Sequence, residues 1–430
     1  MRYYGTLTAA GAVEHHVLHA TYGRPTLADW KSVAKEKFCG VSLCFTWLEA
    51  SMLFLHYLVK GFNLRGGQES FSGASKSTCS RLVAVVLGYT QSALFAQQVN
   101  VPAVDSDEWN ESVRLNFAYS GMQLPGIAAS VDDTHIQVHV SEEAGKAGYI
   151  NKDGYASISA QCAVSGQGYF WQADVGYEGR HNDRGKLVRS ATFRACVGPP
   201  AERPLPLPFA FAGDSGFRPG YPFLVLPFDE RDPVQQPNPL VTAWHDALLH
   251  TRVRVECGFG ELKNRFRVLG NTANGNLGPL QMTERLRAAI ALHNLILRKQ
   301  PLRPATVNGL AATAPGTPFG LLLQAGTQRV LNQLQVAEPP YIQHFATHGM
   351  LPDATGAWPD GLHTVFKRAG AQFRAILVGT VLWCRQNISA LAAEAAAAGA
   401  AHAAGAAAAA GDEPLAPAGA EEDQGALQDE

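Results

Sequence analysis

The sequence predicts an α/β layered fold preceded by helices, and three observations carry that expectation. Between Ala128 and Gly176 the apolar period changes from the helical 3.6 to the 2 of a strand. At 209–216, FAFAGDSG is a short apolar run that stops on an acid and a glycine turn, as a buried strand end does. From Val255 the apolar residues Val255, Phe259, Leu262, Phe266 and Leu269 step by four and three, one face of an amphipathic helix.

The composition sets the outer bounds. A chain of 430 residues that is 46% hydrophobic and 17% charged has core enough for two or three modules, which excludes a wholly disordered protein. Its most apolar candidate span, Val41 to Val59, is interrupted by Thr46, Glu49, Ser51 and His56, so it reads as a buried helix. No membrane association and no signal peptide are expected. Seven scattered cysteines without a CxxC pair read as free thiols in a reducing compartment. Eight of the 37 acids lie after Arg385, where there is no Lys or Arg, so the net charge of −2 conceals a mildly basic body. Such a body permits a polyanionic partner without requiring one.

Helical patches at LEASMLFLHYLVK, around 68–71, and at SKSTCSRLVAVVL open the chain, with Ser75 placed to cap the third. Glycines break between the first two. The arrangement at about 47–87 resembles a helix-turn-helix whose last helix would turn Lys76, Ser77, Thr78 and Arg81 toward DNA, although any small helical bundle gives the same pattern. Ile136, Val138 and Val140 then alternate with polar residues. SISAQCAV and YFWQADVG flank turn residues 165–168 as a hairpin. A Pro-rich connection leads to FAFAGDSG, and two helices follow, VECGFGELKNRFRVL and ERLRAAIALHNLILRK. His293 and Asn294 are assigned to packing and hydrogen bonding. Beyond Lys299 no chemical motif is visible, and Phe373 to Cys384 reads as a short helix or strand.

Three acids occupy settings suited to chemistry. Asp132 lies at a strand end in SVDDTHI, Asp214 ends the strand in GDSG, and Glu256 falls in the first turn of its helix at the edge of the apolar face. Carboxylates gathered from distant segments suit a hard divalent cation such as Mg²⁺. Taken singly, each has an ordinary structural explanation, as a turn former or a helix-dipole partner. Alternation along the strand does not choose between Asp132 and Asp133.

The ordered set PGIAASVDDTHI, YINKDGYASISAQ, VGYEGRHNDRGKLVRS, FAGDSGF with LVLPF, RVRVECGFGELKNRFRVL and ALHNLIL resembles the Harbinger-type transposases and the transposase-derived nucleases related to them. These belong to the DDE superfamily on an RNase H-like fold, and the six segments span about Asn116 to Lys299. The resemblance implies an RNase H-like mixed sheet flanked by helices over 116–300. A helical region at 1–115 would precede it, with an extension at 301–389 and an Ala/Gly/acidic disordered tail at 390–430 following. It implies that Asp132, Asp214 and Glu256, separated by 82 and 42 residues, form a catalytic triad holding two divalent ions, Mg²⁺ or Mn²⁺, for phosphodiester cleavage of duplex DNA. His135, Asn182 and Asp183 fall at matching auxiliary positions. A Myb-like DNA-binding partner protein and a nuclear location are implied in the same way.

Arg252, Arg254, Lys263, Arg265 and Arg267 flank Glu256 and are candidates for holding DNA phosphates. Two departures stand out: Asp133 where the family commonly has Gly, and Cys257 where a basic residue is usual. Both favour an alternative, a domesticated and catalytically silent DNA- or protein-binding derivative. A hydrolase of small phosphoesters is the third reading.

Overall fold

A computed structural model describes residues 47–61, 75–217, 220–228, 238–270, 277–300, 313–336 and 367–390. The patch at 68–71, Cys39, Cys44 and the tail beyond 390 lie outside the described residues. The chain divides into two units, Met1–Arg385 and Gln386–Glu430, and of the second only 386–390 are described, as helix.

Helix α1 (Trp47–Lys60) is followed by α2 (Lys76–Gln98), which passes through a π-helical turn at Thr90–Leu94 and so runs well past the expected segment. Ser75 caps α2 as expected, its side chain accepting from the Thr78 amide at 3.1 Å. Among the described residues α2 is the one helix long and apolar enough to cross a membrane, yet half of it is buried inside the protein. Its Cys79, Leu82, Val83, Val86 and Leu87 join a core cluster with α1 and with the later helix α7. That burial is the behaviour of a core helix.

After α3 (Asp107–Tyr119) come β1 (Ile127–Gln137), β2 (Ser157–Ser165), β3 (Phe170–Glu178), the short helices α4 (Asp183–Arg189) and α5 (Ala191–Val197), then β4 (Ala210–Ala212) and β5 (Leu224–Val225). They build one five-stranded sheet in the order β3-β2-β1-β4-β5. The first three strands are antiparallel, while β4 and β5 run parallel to β1. The expected hairpin is β2–β3, with Gly168 supplying a φ of 94° in its turn.

Asp132 is six residues into an eleven-residue strand, so the expectation of a strand-end acid is corrected. The reason lies in the neighbour, because β4 pairs β1 only as far as Ser130 and leaves the rest of that edge open.

Helix α6 (Pro239–Arg265) corrects a second expectation. Asn238 caps it through the Leu240 amide and Pro239 fits its first turn, so Glu256 sits deep inside a long helix rather than in its first turn, and it is exposed. The N-terminal half of α6 buries Ala243, Trp244, Ala247 and Leu248 in one core cluster, and its C-terminal half buries Val255, Phe259 and Leu262 in another. Helix α7 (Pro279–Lys299) carries Asn294, whose amide bonds both the N–H and the C=O of Phe170 and the carbonyl of Gln98. It thereby ties β3 to the end of α2, as assigned. His293 is fully buried against Arg265, and burial brings its pKa down to about 3.

The C-terminal stretch holds α8 (Pro318–Gln335) and helical residues from 367 onward, so Phe373 to Cys384 is helix, not strand. Phe373, Leu377 and Val381 enter the same core cluster as β4, β5 and Trp244. The extension therefore completes the hydrophobic layer over the β5 side of the sheet.

Candidate active site

Strand alternation and the contact of β1 with α6 place the two adjacent acids, Asp132 and Asp133, on opposite faces of the sheet. Ser130 of β1 lies opposite Ala212 of β4. Asp132 and Asp214 each follow two residues later, where the parallel strands part. Side chains alternate along β1, so Asp132 shares a face with Ser130, whose hydroxyl donates to the Thr251 carbonyl of α6 at 3.1 Å. Helix α6 thus covers the Asp132 face. Arg252, on the next residue of α6, reaches Asp132 Oδ2 at 3.2 Å.

Asp133 faces the other way. Its Oδ2 meets the Nζ of Lys186 on α4, and Gln161 Nε2 donates to its Oδ1 at 3.4 Å. The Lys186 side chain is 0% exposed and that of Asp133 only 7%. The extra acid is therefore paired inside the fold on the opposite face of β1 from Asp132, although burial lowers the Lys186 ammonium to about 8 and the charge of Asp132 pulls it back up.

Three other acids, Asp214, Asp183 and Glu256, lie near enough to act on the charge of Asp132. Burial pushes Asp132 up to about 6, and although Arg252 pulls it down, the negative charges of Asp214, Asp183 and Glu256 add to the rise. Asp183 is likewise raised, by burial first and then by Asp214, with Lys152 opposing. Asn182 caps α4 by accepting from the Gly185 amide at 2.7 Å, which fixes Asp183 in the first turn. Asp214 Oδ1 accepts from the Gly216 amide at 2.8 Å in an Asp-Ser-Gly turn. A Cβ on Gly216 would lie 2.5 Å from Asp183 Oδ2 and 3.0 Å from Asp214 Oδ1, so the glycine is what lets these two carboxylates come together. Gly216→Ala is expected to displace Asp183 and lower catalytic activity at least tenfold while the exposed turn keeps the melting temperature within about 2 °C. Cleavage rate and thermal denaturation, measured on the same preparation, check both halves.

Other sequence candidates fall elsewhere. His135 bonds Ser157 Oγ at 3.0 Å, and burial and the lysines at 152 and 263 lower its pKa; it does not join the four acids. Lys263 donates to the His135 carbonyl, Arg254 pairs with Glu261 and the Gln167 carbonyl, and Arg265 bonds His293. Arg267, Lys76 and Arg81 are exposed. Sequence reading missed Lys186 and Gln161. The one available signal was the spacing of Lys186, three residues after Asp183 on a helix.

All-oxygen donors carrying excess negative charge are of the chemical kind a hard divalent cation takes, and such a charge would offset the burial and the neighbouring acids that raise Asp132. Among the described residues no three acids, histidines or cysteines stand close enough to share one ion, and the Arg252 guanidinium already engages Asp132.

A mixed five-stranded sheet with acids gathered from β1, the β4 turn, α4 and α6 defines a carboxylate-centred α/β domain. Residues 131–294 match the model of the DDE superfamily endonuclease family, a range that contains all four acids. This match indicates a nuclease or transposase-like function for the domain, in a family that acts on DNA and generally uses divalent metals. Among curated proteins and among solved structures none matches the chain.

Proposed function

We propose that the protein is a metal-dependent DNA endonuclease of the Harbinger type, transposase-like, acting in the nucleus on duplex DNA. The observation that carries this reading is the placement of Asp132 and Asp214, each two residues beyond the last β1–β4 pair, with Glu256 and Asp183 near enough to perturb Asp132. The RNase H-like reading of the fold rests on the mixed sheet flanked by helices and on the family match. Asp132, Asp214 and Glu256, with Asp183 beside them, would hold two Mg²⁺ or Mn²⁺ ions once Arg252 leaves Asp132 and the carboxylates draw closer than they stand in the free chain. When bound, such ions would ease deprotonation of an attacking water or DNA 3′ hydroxyl and stabilise the leaving oxygen.

The chain's own residues do the rest. Asp132, Asp214 and Glu256 act as ligands rather than as a general acid, and the sheet and the Gly216 turn hold the first two in place. Arg252 neutralises Asp132 in the free protein and, once displaced from it, is positioned on α6 to meet a phosphate. Arg267 just after α6, and Lys76 and Arg81 on the helix-turn-helix-like segment, are exposed cations for backbone phosphates, which makes binding salt-dependent. A Myb-like protein is the proposed DNA-binding partner.

The second reading, a silent DNA-binding derivative, is favoured by one contact, the Arg252–Asp132 ion pair that competes for a triad ligand. Supercoiled plasmid and a small phosphodiester, bis(p-nitrophenyl) phosphate, offered with Mg²⁺, Mn²⁺ or EDTA, separate the readings. Metal-dependent nicking of plasmid with little turnover of the small ester is expected. Binding of plasmid without nicking in either metal supports the silent derivative, and the reverse substrate preference supports a small-phosphoester hydrolase.

A further inference from the structure

We propose that Lys186 is a positioning residue: together with Asp133 it forms a buried ion pair that anchors the Asp183 carboxylate against Asp214. The inference rests on the metal-dependent reading above and assigns a role to two residues that reading does not use.

The geometry is that of a hub. Lys186 Nζ contacts Asp133 Oδ2 of β1, lies 3.2 Å from Asp183 Oδ1 and 3.4 Å from Ser159 Oγ of β2, and has no exposed side-chain surface. One oxygen of Asp183 is thus held by the ammonium. The other, Oδ2, points to Gly216, the residue that Asp214 Oδ1 also faces. Gln161 closes the arrangement, donating to the Asp183 carbonyl at 3.1 Å and to Asp133 Oδ1 at 3.4 Å. A lysine so fully enclosed gains nothing as a surface charge, and its long stem reaches from α4 to the sheet because Asp133 anchors its far end there. Without that anchor the ammonium would keep Asp183 as its one ion-pair contact among the described residues, with the Asp132 charge acting on it from further off, and no fixed place from which to orient Asp183. The pair also accounts for Asp133 standing where the resembled family commonly has Gly: its charge is spent inside the fold on Lys186.

The test is a double-mutant cycle on the full chain, read as the Mn²⁺ dissociation constant from the electron paramagnetic resonance signal of free Mn²⁺. Asp183→Asn is expected to weaken Mn²⁺ binding about tenfold, the size typical of a group beside the metal ligands. The paired change Asp133→Asn with Lys186→Met, which leaves the net charge unchanged and no orphaned Asp133 where Lys186→Met alone threatens folding, is expected to weaken it by the same factor. Adding Asp183→Asn to the paired change should then cost nothing more. Wild-type affinity in the folded paired variant, or losses that multiply to about a hundredfold, overturn the positioning role. A wild type that binds no Mn²⁺ overturns the metal reading itself, and the inference falls with it.

Discussion

Lys186→Met is expected to lower stability by about 3–5 kcal/mol, because it leaves Asp133 buried and charged with no counterion. Asp133 is only 7% exposed, and Gln161 at 3.4 Å, a neutral donor, cannot replace the ammonium. For a domain of this size the fall in melting temperature should exceed about 6 °C. The loss is mostly the penalty of an orphaned charge rather than the net worth of the pair. Asp133→Asn in the same chain should therefore recover most of it, since a buried ion pair exchanged for neutral groups of similar volume is often close to neutral. Urea denaturation of the two variants and the wild type checks the claim. Equal stability of Lys186→Met and wild type would mean that Asp133 is solvated and that the buried pair does not form.

Asp132→Asn is expected to act in the opposite direction on stability. Burial first, then Asp214, Asp183 and Glu256, raise the Asp132 carboxyl from an ordinary 3.8 to about 6 against the pull of Arg252. The folded state therefore holds the proton more tightly than the unfolded state does. The cost of ionising Asp132 is absent below about pH 3.8, grows as pH rises, and is complete above about pH 6. At pH 8 in EDTA it amounts to about 3 kcal/mol, which Asp132→Asn removes, raising the melting temperature by roughly 6 °C. Near pH 4 the two proteins should melt together. Mn²⁺ should stabilise the wild type at pH 8 and the variant much less, since a ligand that binds only the folded state raises its melting temperature. A variant less stable than wild type at pH 8 without metal would show that the Arg252 ion pair outweighs the crowding of acids.

The parts of this fold legible in sequence were those written in short-range pattern. The β2–β3 hairpin followed from alternation around a glycine turn, and the strand before Asp214 from three buried residues closed by Asp-Ser-Gly. The true start of α6 was hidden because WHDALLHTRVR mixes His, Asp and Arg into its apolar stripe, where the helix changes from one core cluster to the other. Which of Asp132 and Asp133 faces α6 depends on the packing of that helix on β1, seen in the Ser130–Thr251 contact 121 residues apart, which spacing cannot supply. Lys186 was illegible for a related reason. A lysine on a short polar helix reads as solvated until the sheet shows an acid pointing at it.

The acids also illustrate a division of labour. Asp132, Asp214, Asp183 and Glu256 concentrate negative charge at a cost to the folded chain, while Asp133 on the opposite side of β1 is paired with Lys186. An adjacent pair of identical residues thus serves two ends, one in the site and one in the scaffold, and the pleat alone separates them.

Nicking of supercoiled plasmid by the purified full chain, with Mn²⁺ or EDTA and with Asp132→Asn, Asp214→Asn and Glu256→Gln prepared in parallel, tests the central claim most directly. Mn²⁺-dependent nicking is expected, falling about a thousandfold in each variant, as the loss of several kcal/mol of transition-state charge stabilisation requires. Nicking that persists in EDTA, or that survives all three substitutions, would contradict it.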